Sequence, residues 1–403
     1  MKQSASWFSS LSSVEMITEE NARAKVLESV RALPKRNVDL EAALDCFAAE
    51  EVHARLPLPL FDNSAMDGYA VIAGEKRYRV IGEQPAGKDR QLHVKGGEAV
   101  RIFTGAPIPS GANAVVMQED VTRDGESITI NGKIDIGEFI RRRGCDLSEG
   151  QKILSKGDRI TATKLALLAS QGIVDLAIGG EVTAAVISTG DELVRGNAAL
   201  QPGQIYDSNS TLLAALVRNV NAQVAFAEQC RDDLETLTHA IEHGARQQVL
   251  LISGGVSVGE HDLVRRALEE LGAKIDIWRV AIKPGKPFLF ARLTDCVVFG
   301  LPGNPVSVFV TFLRFVRPTI WKLMGATDLA PSTFAAELDV DLANDDPKRP
   351  HYVRGKFGNG KFSPIGRQES HALFGLSQAN ALGRIEAGGK LRRGDKIDIE
   401  ICG

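Results

Sequence analysis

Between Val182 and about Gly325 the sequence alternates strand-like apolar runs with amphipathic stretches of helix length. The runs are VTAAVIS (182–188), QVAFAEQ (223–229), VLLIS (249–253), KIDIWRVAI (274–282) and CVVFGL (296–301). Between them lie SNSTLLAALVRNV (208–220), DDLETLTHAIEHGAR (232–246) and HDLVRRALEELG (261–272). Parallel neighbours need helical crossovers, and those helices cover both faces of the sheet. The alternation therefore predicts an αβα domain built on a parallel sheet. It also says where to look for chemistry, because ligands of such sheets bind outside the carboxyl ends of the strands.

The remaining chain is too long for one domain, since 403 residues suggest about two to four. Residues 14–33 are charged and helical in composition, with a break at Pro34. Residues 39–50 predict a second helix, capped by Asp39 and placing Ala42, Ala43, Phe47 and Ala48 near one face. From His53 to about Asp146 short apolar runs alternate with Gly, Pro and Asp, the pattern of a β-rich module. TATKLALLASQGI (161–173) reads as a helix ending at Gly172. The expected organisation is a discontinuous mixed helical linker domain (1–50 with 147–180), an inserted β-rich domain (51–146), the αβα domain (181–328) and a C-terminal small β barrel (329–403).

Charge and cysteine content exclude several classes. Lys plus Arg number 48 against 51 Asp plus Glu, a net charge of −3 that gives no electrostatic case for nucleic acid or an anionic membrane as partner. The five cysteines are odd in number and form no CxxC, which argues against a disulfide framework or a cysteine zinc site and for a reducing, cytoplasmic setting. The N-terminal segment lacks the apolar core of a signal peptide. The longest uncharged stretch, Cys296 to Leu313, is interrupted by Gly300, Pro302, Gly303 and Pro305, so it reads as strand, turn and buried helix.

The strand ends carry the densest signals. After VTAAVIS come Ser188-Thr189-Gly190-Asp191-Glu192, a tight polar turn that places two carboxylates at the strand mouth. A solvated acidic loop explains the same residues. Asp207-Ser208-Asn209-Ser210 reads foremost as a helix cap. After VLLIS come Ser253-Gly254-Gly255-Val256-Ser257-Val258-Gly259-Glu260-His261-Asp262, whose glycines let backbone N–H groups approach an anion. Glu260 and His261 stand where a P-loop needs Lys and Ser/Thr, so the usual nucleoside triphosphate site is excluded. Lys283-Pro284-Gly285-Lys286-Pro287 puts two lysines in a turn stiffened by prolines, able to clamp an oxyanion or simply to face water. Pro302-Gly303-Asn304-Pro305 opens an apolar helix, with Asn304 as N-cap and Pro305 at N1. In the β-rich module Asp67 and Gly68 sit in a dense polar motif that a hairpin turn also explains, while Thr104 and the Arg141–Asp146 stretch are weaker signals. His239 and His243 lie four apart on a helix, but no third ligand accompanies them and HExxH is absent.

Five motifs in order, NSAMDGYA (63–70), ISTGDEL (187–193), SGGVSVGEHD (253–262), KPGKP (283–287) and GLPGNPVS (300–307), closely resemble those of the molybdopterin molybdenumtransferase family, to which the E domain of gephyrin is related. The resemblance runs from about Val14 through nearly the whole chain. It implies an elongated homodimer with four domains per subunit and a cleft between the αβα domain of one subunit and the β-rich domain of the other. It also implies a reaction of adenylylated molybdopterin with molybdate that uses Mg²⁺ and releases AMP and molybdenum cofactor. Carried over by motif, Asp67, Thr104, Asp146, Glu192, Asp232 and Asp262 are the functional polar residues, Asp232 on the short Arg231-Asp232-Asp233 match alone. Lys283, Lys286, Pro302 and Pro305 line the anion site. His261 departs from the family pattern at a position that varies. Other molybdenum cofactor synthesis proteins are possible partners.

An acidic site facing anionic substrates has a charge conflict. One carboxylate about 4 Å from a dianion costs on the order of 8 kcal/mol at an effective dielectric constant of about 20. A hard divalent cation bridging carboxylate and phosphate oxygens removes it. Asp191, Glu192 and Asp262 are therefore assigned to Mg²⁺ or to its water, and Ser188, Gly190, Gly254, Gly255, Ser257 and Gly259 to the phosphorylated pterin. The Lys283/Lys286 and Pro302–Pro305 turns are left for molybdate, which nothing in these residue types separates from tungstate. Three rivals share the αβα fold: a scaffold protein, which need not keep the carboxylates; a molybdopterin adenylyltransferase, which needs no β-rich domains; and a nucleotide pyrophosphatase, which would act on ADP-ribose without a pterin.

Overall fold

The fold is seen in a computed structural model that describes residues 16–256 and 262–402. Two compact units are present. Of the described residues, one unit comprises those up to Ala49, Lys156–Leu165 and those from Asp175 on; the other comprises Glu50–Ser155 and Ala166–Val174. The expected domain boundaries are finer than this division.

In the larger unit the αβα domain carries strands β1 (Thr183–Thr189), β2 (Gln223–Cys230), β3 (Val249–Ser253), β4 (Lys274–Trp278), β5 (Leu289–Leu293) and β6 (Cys296–Leu301). Their order across the sheet is β2-β1-β3-β6-β5-β4. The first four are mutually parallel, as the crossovers require. The far edge differs from the sequence reading. PFLFARL forms an unanticipated strand, β5, antiparallel to both β6 and β4. A tight turn with Thr294 at φ +55° joins β5 to β6, so a two-residue hairpin does what a helical crossover would otherwise do.

Strand residues alternate between two cores. Ala184, Val186, Val249, Leu251, Val297 and Phe299 pack against helix α1 (Asn209–Asn219) and the helices after β6. Ala185, Ile187, Leu250, Ile252 and Val298 pack against α2 (Leu234–Gly244) and α3 (Leu263–Glu270). This period of two, buried on both faces, is why these strands read as continuous apolar runs. The helix expected from Val306 begins as α4 (Pro305–Thr311), opens into a π turn over Phe312–Val316 and continues as α5 (Arg317–Leu323). Pro318 has no N–H to give and its ring would crowd the carbonyl one turn back; the wider turn just before it relieves that.

The N-terminal segment departs from expectation twice. The first helix is shorter, Glu19–Glu28, capped by Thr18, whose hydroxyl accepts from Asn21 N–H. Residues 39–50 are not a helix. Arg36–Asp39 is a strand paired with Asp175–Ile178, and only Leu40–Ala43 turns, as a 3₁₀ segment without a side-chain cap from Asp39. The N–H groups of Asp45 and Ala48 go instead to the carbonyls of Ile160 and Asp158. Pairing with a distant segment thus replaces the local helix that composition favoured. The expected 161–173 helix is present over Ala162–Ser170 and ends at Gly172, φ +68°.

The C-terminal segment is a closed five-stranded barrel of β7 (Thr333–Leu338), β8 (His351–Gly358), β9 (Lys361–Pro364), β10 (Ala381–Ile385) and β11 (Lys396–Ile401), ordered β7-β9-β8-β10-β11. A buried ionic knot ties it to the rest of its unit. Glu19 at the start of the first helix accepts from Tyr352 Oη of β8 at 2.7 and 2.8 Å and from Arg314 Nε, and Arg314 Nη1 also reaches Glu400 of β11 at 3.2 Å.

The smaller unit is a six-stranded sheet in the order Ala114–Met117, Gly68–Val71, Glu98–Ile102, Arg77–Gln84, Ser127–Ile130, Val121–Asp124. Tyr69 and Val71 face one small core and Ala70 another. Gly68 is required by a close approach: a Cβ there would lie 1.8 Å from the carbonyl oxygen of Val116.

Candidate functional site

The strand ends of the αβα domain form two depressions that share an edge. The first, about 330 Å³, lies over the ends of β1 and β3 and is lined by Thr189, Glu192, Asp207, Asn209, Ser253 and Gly254, with Pro305 at its rim. Gly190 has φ +155°, extended enough to turn the chain out of β1 and expose Asp191 and Glu192. Asp232, at the end of β2, joins them. Its carboxylate accepts from the Thr189 hydroxyl, and its N–H donates to Asp191 Oδ1 at 3.3 Å. Asp191 and Asp232, distant in sequence, thus meet around Thr189.

Ser188, fully buried, donates to Asp207 Oδ1 at 3.2 Å. Asp207 also accepts from Ser210 N–H at 3.0 Å, so the capping role read from the sequence holds and the residue lines the site as well. Asn209 Nδ2 donates to Ser253 Oγ at 2.9 Å and to the Gly303 carbonyl at 2.7 Å, fixing the start of α1 to both neighbouring strand ends.

Gly254 (φ +92°) and Gly255 (φ +63°) sit where a side chain would collide with β1: a Cβ on Gly254 would lie 2.3 Å from the Thr189 carbonyl oxygen, and one on Gly255 would lie 2.8 Å from Thr189 Cγ2. Their first role is thus to let two strand ends close up, which sets the floor of the depression. Asp262 is buried and caps α3, its Oδ1 accepting from Arg265 N–H at 2.9 Å. Ser257 and Gly259, assigned to phosphate, lie outside the described residues, as do Glu260 and His261.

The second depression, about 360 Å³, contains Lys283, Lys286 and Pro302, and shares Gly303 and Asn304 with the first. The two prolines assigned to one anion site therefore divide between the two depressions. Asn304 precedes α4 but makes no side-chain cap; its Nδ2 donates to Ser370 Oγ at 2.9 Å. The lysine turn is held from the C-terminal barrel, Lys283 N–H donating to the Pro350 carbonyl at 2.9 Å and Tyr352 N–H to the Lys283 carbonyl at 2.7 Å. Arg349, His351, Gln368 and Ser370 complete the wall. None of these four was singled out in the sequence, and no motif marks them: they lie far along the chain, and only the docking of the barrel brings them here.

In the other unit Asp67 and Thr104 come together. Asp67 Oδ1 accepts from Thr104 N–H at 2.7 Å and from its hydroxyl at 2.8 Å, and these two bonds, the backbone one foremost, hold the exposed carboxyl below the usual aspartate range. Asp146 is exposed and its N–H donates to the Leu58 carbonyl; it makes no hydrogen bond to either residue.

For Mg²⁺, the test is the donor set. Among the described residues no group of three or more His, Cys, Asp or Glu side chains is arranged to hold a metal ion, so Asp191, Glu192 and Asp262 do not form a cage by themselves. Mg²⁺ needs no such cage, since one or two carboxylates with substrate phosphates and water suffice. The exposed Asp191 and Glu192 beside Asp232 fit that mode.

Against known proteins, the MoeA N-terminal region (domain I and II) matches residues 17–172, a molybdopterin-binding domain matches 185–322 and the MoeA C-terminal region (domain IV) matches 335–402. The chain is 37% identical over 400 residues to the molybdopterin molybdenumtransferase of Haemophilus influenzae, covering 96% of this chain and 98% of that one. It is 37% identical over 369 residues to the enzyme of that name from Nostoc, covering 87% and 85%. A crystal structure of a molybdopterin biosynthesis MoeA protein from Pyrococcus horikoshii superposes with a TM-score of 0.75 at 30% identity, covering 96% of this chain and 99% of that one. Among the described residues no helix is long and apolar enough to cross a membrane. With three family regions in order, full-length relatives of one name and the two adjoining depressions at the strand ends, the chain belongs to the molybdopterin molybdenumtransferase family, transferases of molybdenum cofactor biosynthesis.

Proposed function

We propose that this chain inserts molybdate into adenylylated molybdopterin, with Mg²⁺-dependent release of AMP, as a cytoplasmic homodimer. The observation that carries the reading is the pairing of a carboxylate-rimmed depression with a lysine-rimmed one across Gly303 and Asn304. Two anionic ligands can then sit side by side, one in each depression. In the first depression Glu192 lines the place for the phosphoryl groups, with Asp191 and Asp232 meeting beside Thr189, while the buried Ser188–Asp207 pair and Asn209 hold its walls rigid. Asp191 and Glu192 would hold Mg²⁺, which would supply charge neutralisation and Lewis acidity at the phosphoryl group, while Asp262 caps α3. In the second depression Lys283 and Lys286 provide charge-assisted donors to an oxyanion. Asp67 and Thr104 are brought to the same reaction from the partner subunit.

The test is AMP release from adenylylated molybdopterin, with and without molybdate and Mg²⁺. Release that requires both supports the reading. Release from ADP-ribose in the absence of any pterin would replace it with a pyrophosphatase.

A further inference from the structure

Among the described residues His351 is the one imidazole on the wall of the lysine depression. It is the first residue of β8, with a relative exposure of 9%, and its Nδ1 is buried with no hydrogen-bond partner among the described residues. Its neighbour Tyr352 points the other way, into the Glu19 knot, so alternation along the strand sends His351 toward the anion wall. The backbone on either side holds the lysine turn, through the Pro350 carbonyl and the Tyr352 N–H. The side chain is therefore fixed in place beside Lys283 while one ring nitrogen is left without a bond, which is a costly arrangement for a merely structural histidine.

The charges around it come from every element packed there. Lys283 and Lys286 belong to the turn, Arg349 to the segment before β8, Arg354 to β8 itself, Glu369 to the segment after β9, and Asp346 to the loop beyond Arg349. Burial first, then Lys283, Arg354 and Arg349, hold the imidazole down to about 4, with Asp346 opposing them. With the depression empty the ring is neutral at physiological pH. An oxyanion between Lys283 and Lys286 reverses the local field and favours the protonated ring.

We infer that His351 is a positioning residue of the oxyanion site, taking one proton from solvent onto its imidazole as the anion binds. The inference rests on the proposed assignment of this depression to molybdate. The N–H bond forms as an O–H bond of hydronium breaks, and no other bond changes. It follows that the anion binds more tightly as pH falls toward the range of the ring, by up to about tenfold per pH unit.

The experiment is calorimetric titration with micromolar molybdate at pH 6 in buffers of differing ionisation enthalpy, on wild type, His351→Gln and Lys286→Ala. A wild-type proton uptake that exceeds that of His351→Gln by a fraction of a proton, up to one, is the expected result. The difference removes any protonation of the anion itself. NMR of the His351 ring in wild-type protein, empty and molybdate-saturated, gives the same reading without a variant, with the ring titrating higher when loaded. If Lys286→Ala weakens binding while His351→Gln takes up as many protons as wild type, or the ring does not respond, the inference fails and the molybdate assignment stands. If molybdate binds Lys286→Ala as well as wild type, the anion is elsewhere and both fail.

Discussion

Asp67 and Thr104 illustrate what single residues contribute. Two hydrogen bonds to one carboxylate oxygen keep Asp67 ionised further into the acid range than an ordinary aspartate. The sign is that of a depressed carboxyl: the bonds act above the ordinary carboxyl range and are lost as pH falls through the folded value. Thr104→Val keeps the backbone donor and removes the hydroxyl, so the Asp67 carboxyl is expected to titrate at higher pH, read by carbon-detected NMR. An unmoved titration would show that the backbone bond alone sets it. Asp67, Thr104, Lys283 and Lys286 were legible in sequence because each sits in a short motif next to a turn. Ser370 was not, since its bond to Asn304 spans 66 positions and the residue types at either end are common.

At the scale of elements, the alternating runs read correctly wherever burial on both faces made them continuous, as in β1, β3 and β6. They misled at residues 39–50, where a helical composition is overridden by backbone pairing to residues 158 and 160, and at β5, where a hairpin replaces a crossover. Close backbone approach is likewise invisible in sequence until the partner strand is known. Gly68→Ala puts a Cβ 1.8 Å from a carbonyl oxygen of the adjoining strand. Chemical denaturation is expected to show a loss of at least about 1–3 kcal/mol, the usual range for overpacking. A wild-type midpoint would mean that the Ala114–Met117 strand yields freely.

For the whole molecule, the Glu19 knot joins the first helix, the π turn and the barrel through buried charges. Burial foremost, then Glu19, pushes the Tyr352 phenol well above its usual range, so it stays a donor at any physiological pH. Tyr352→Phe leaves Glu19 short of that donor and is expected to cost about 1–3 kcal/mol in denaturant midpoint. Because β8 also holds the lysine turn, molybdate affinity should fall with it; stability lost with affinity intact would separate the barrel from the site. The proposed homodimer, with a cleft shared between its subunits, predicts complementation. Asp67→Asn and Asp191→Asn chains, each expected to be inactive alone, should regain partial activity in verified heterodimers, because some of their clefts would hold both carboxylates. No recovery would count against the shared cleft.

The central claim is that two adjoining depressions separate the two anions, with the lysine turn serving molybdate. Its most direct test is a molybdate titration of cofactor formation by Lys283→Ala and Lys286→Ala, with pterin affinity measured alongside. Each substitution removes a charge-assisted contact worth about 1.5–3 kcal/mol. Half-saturation by molybdate is therefore expected to rise about ten- to hundredfold, while pterin affinity stays within a few-fold of wild type. A collapse of pterin affinity with an unchanged molybdate half-saturation would contradict the account, because the lysines would then be holding the other anion.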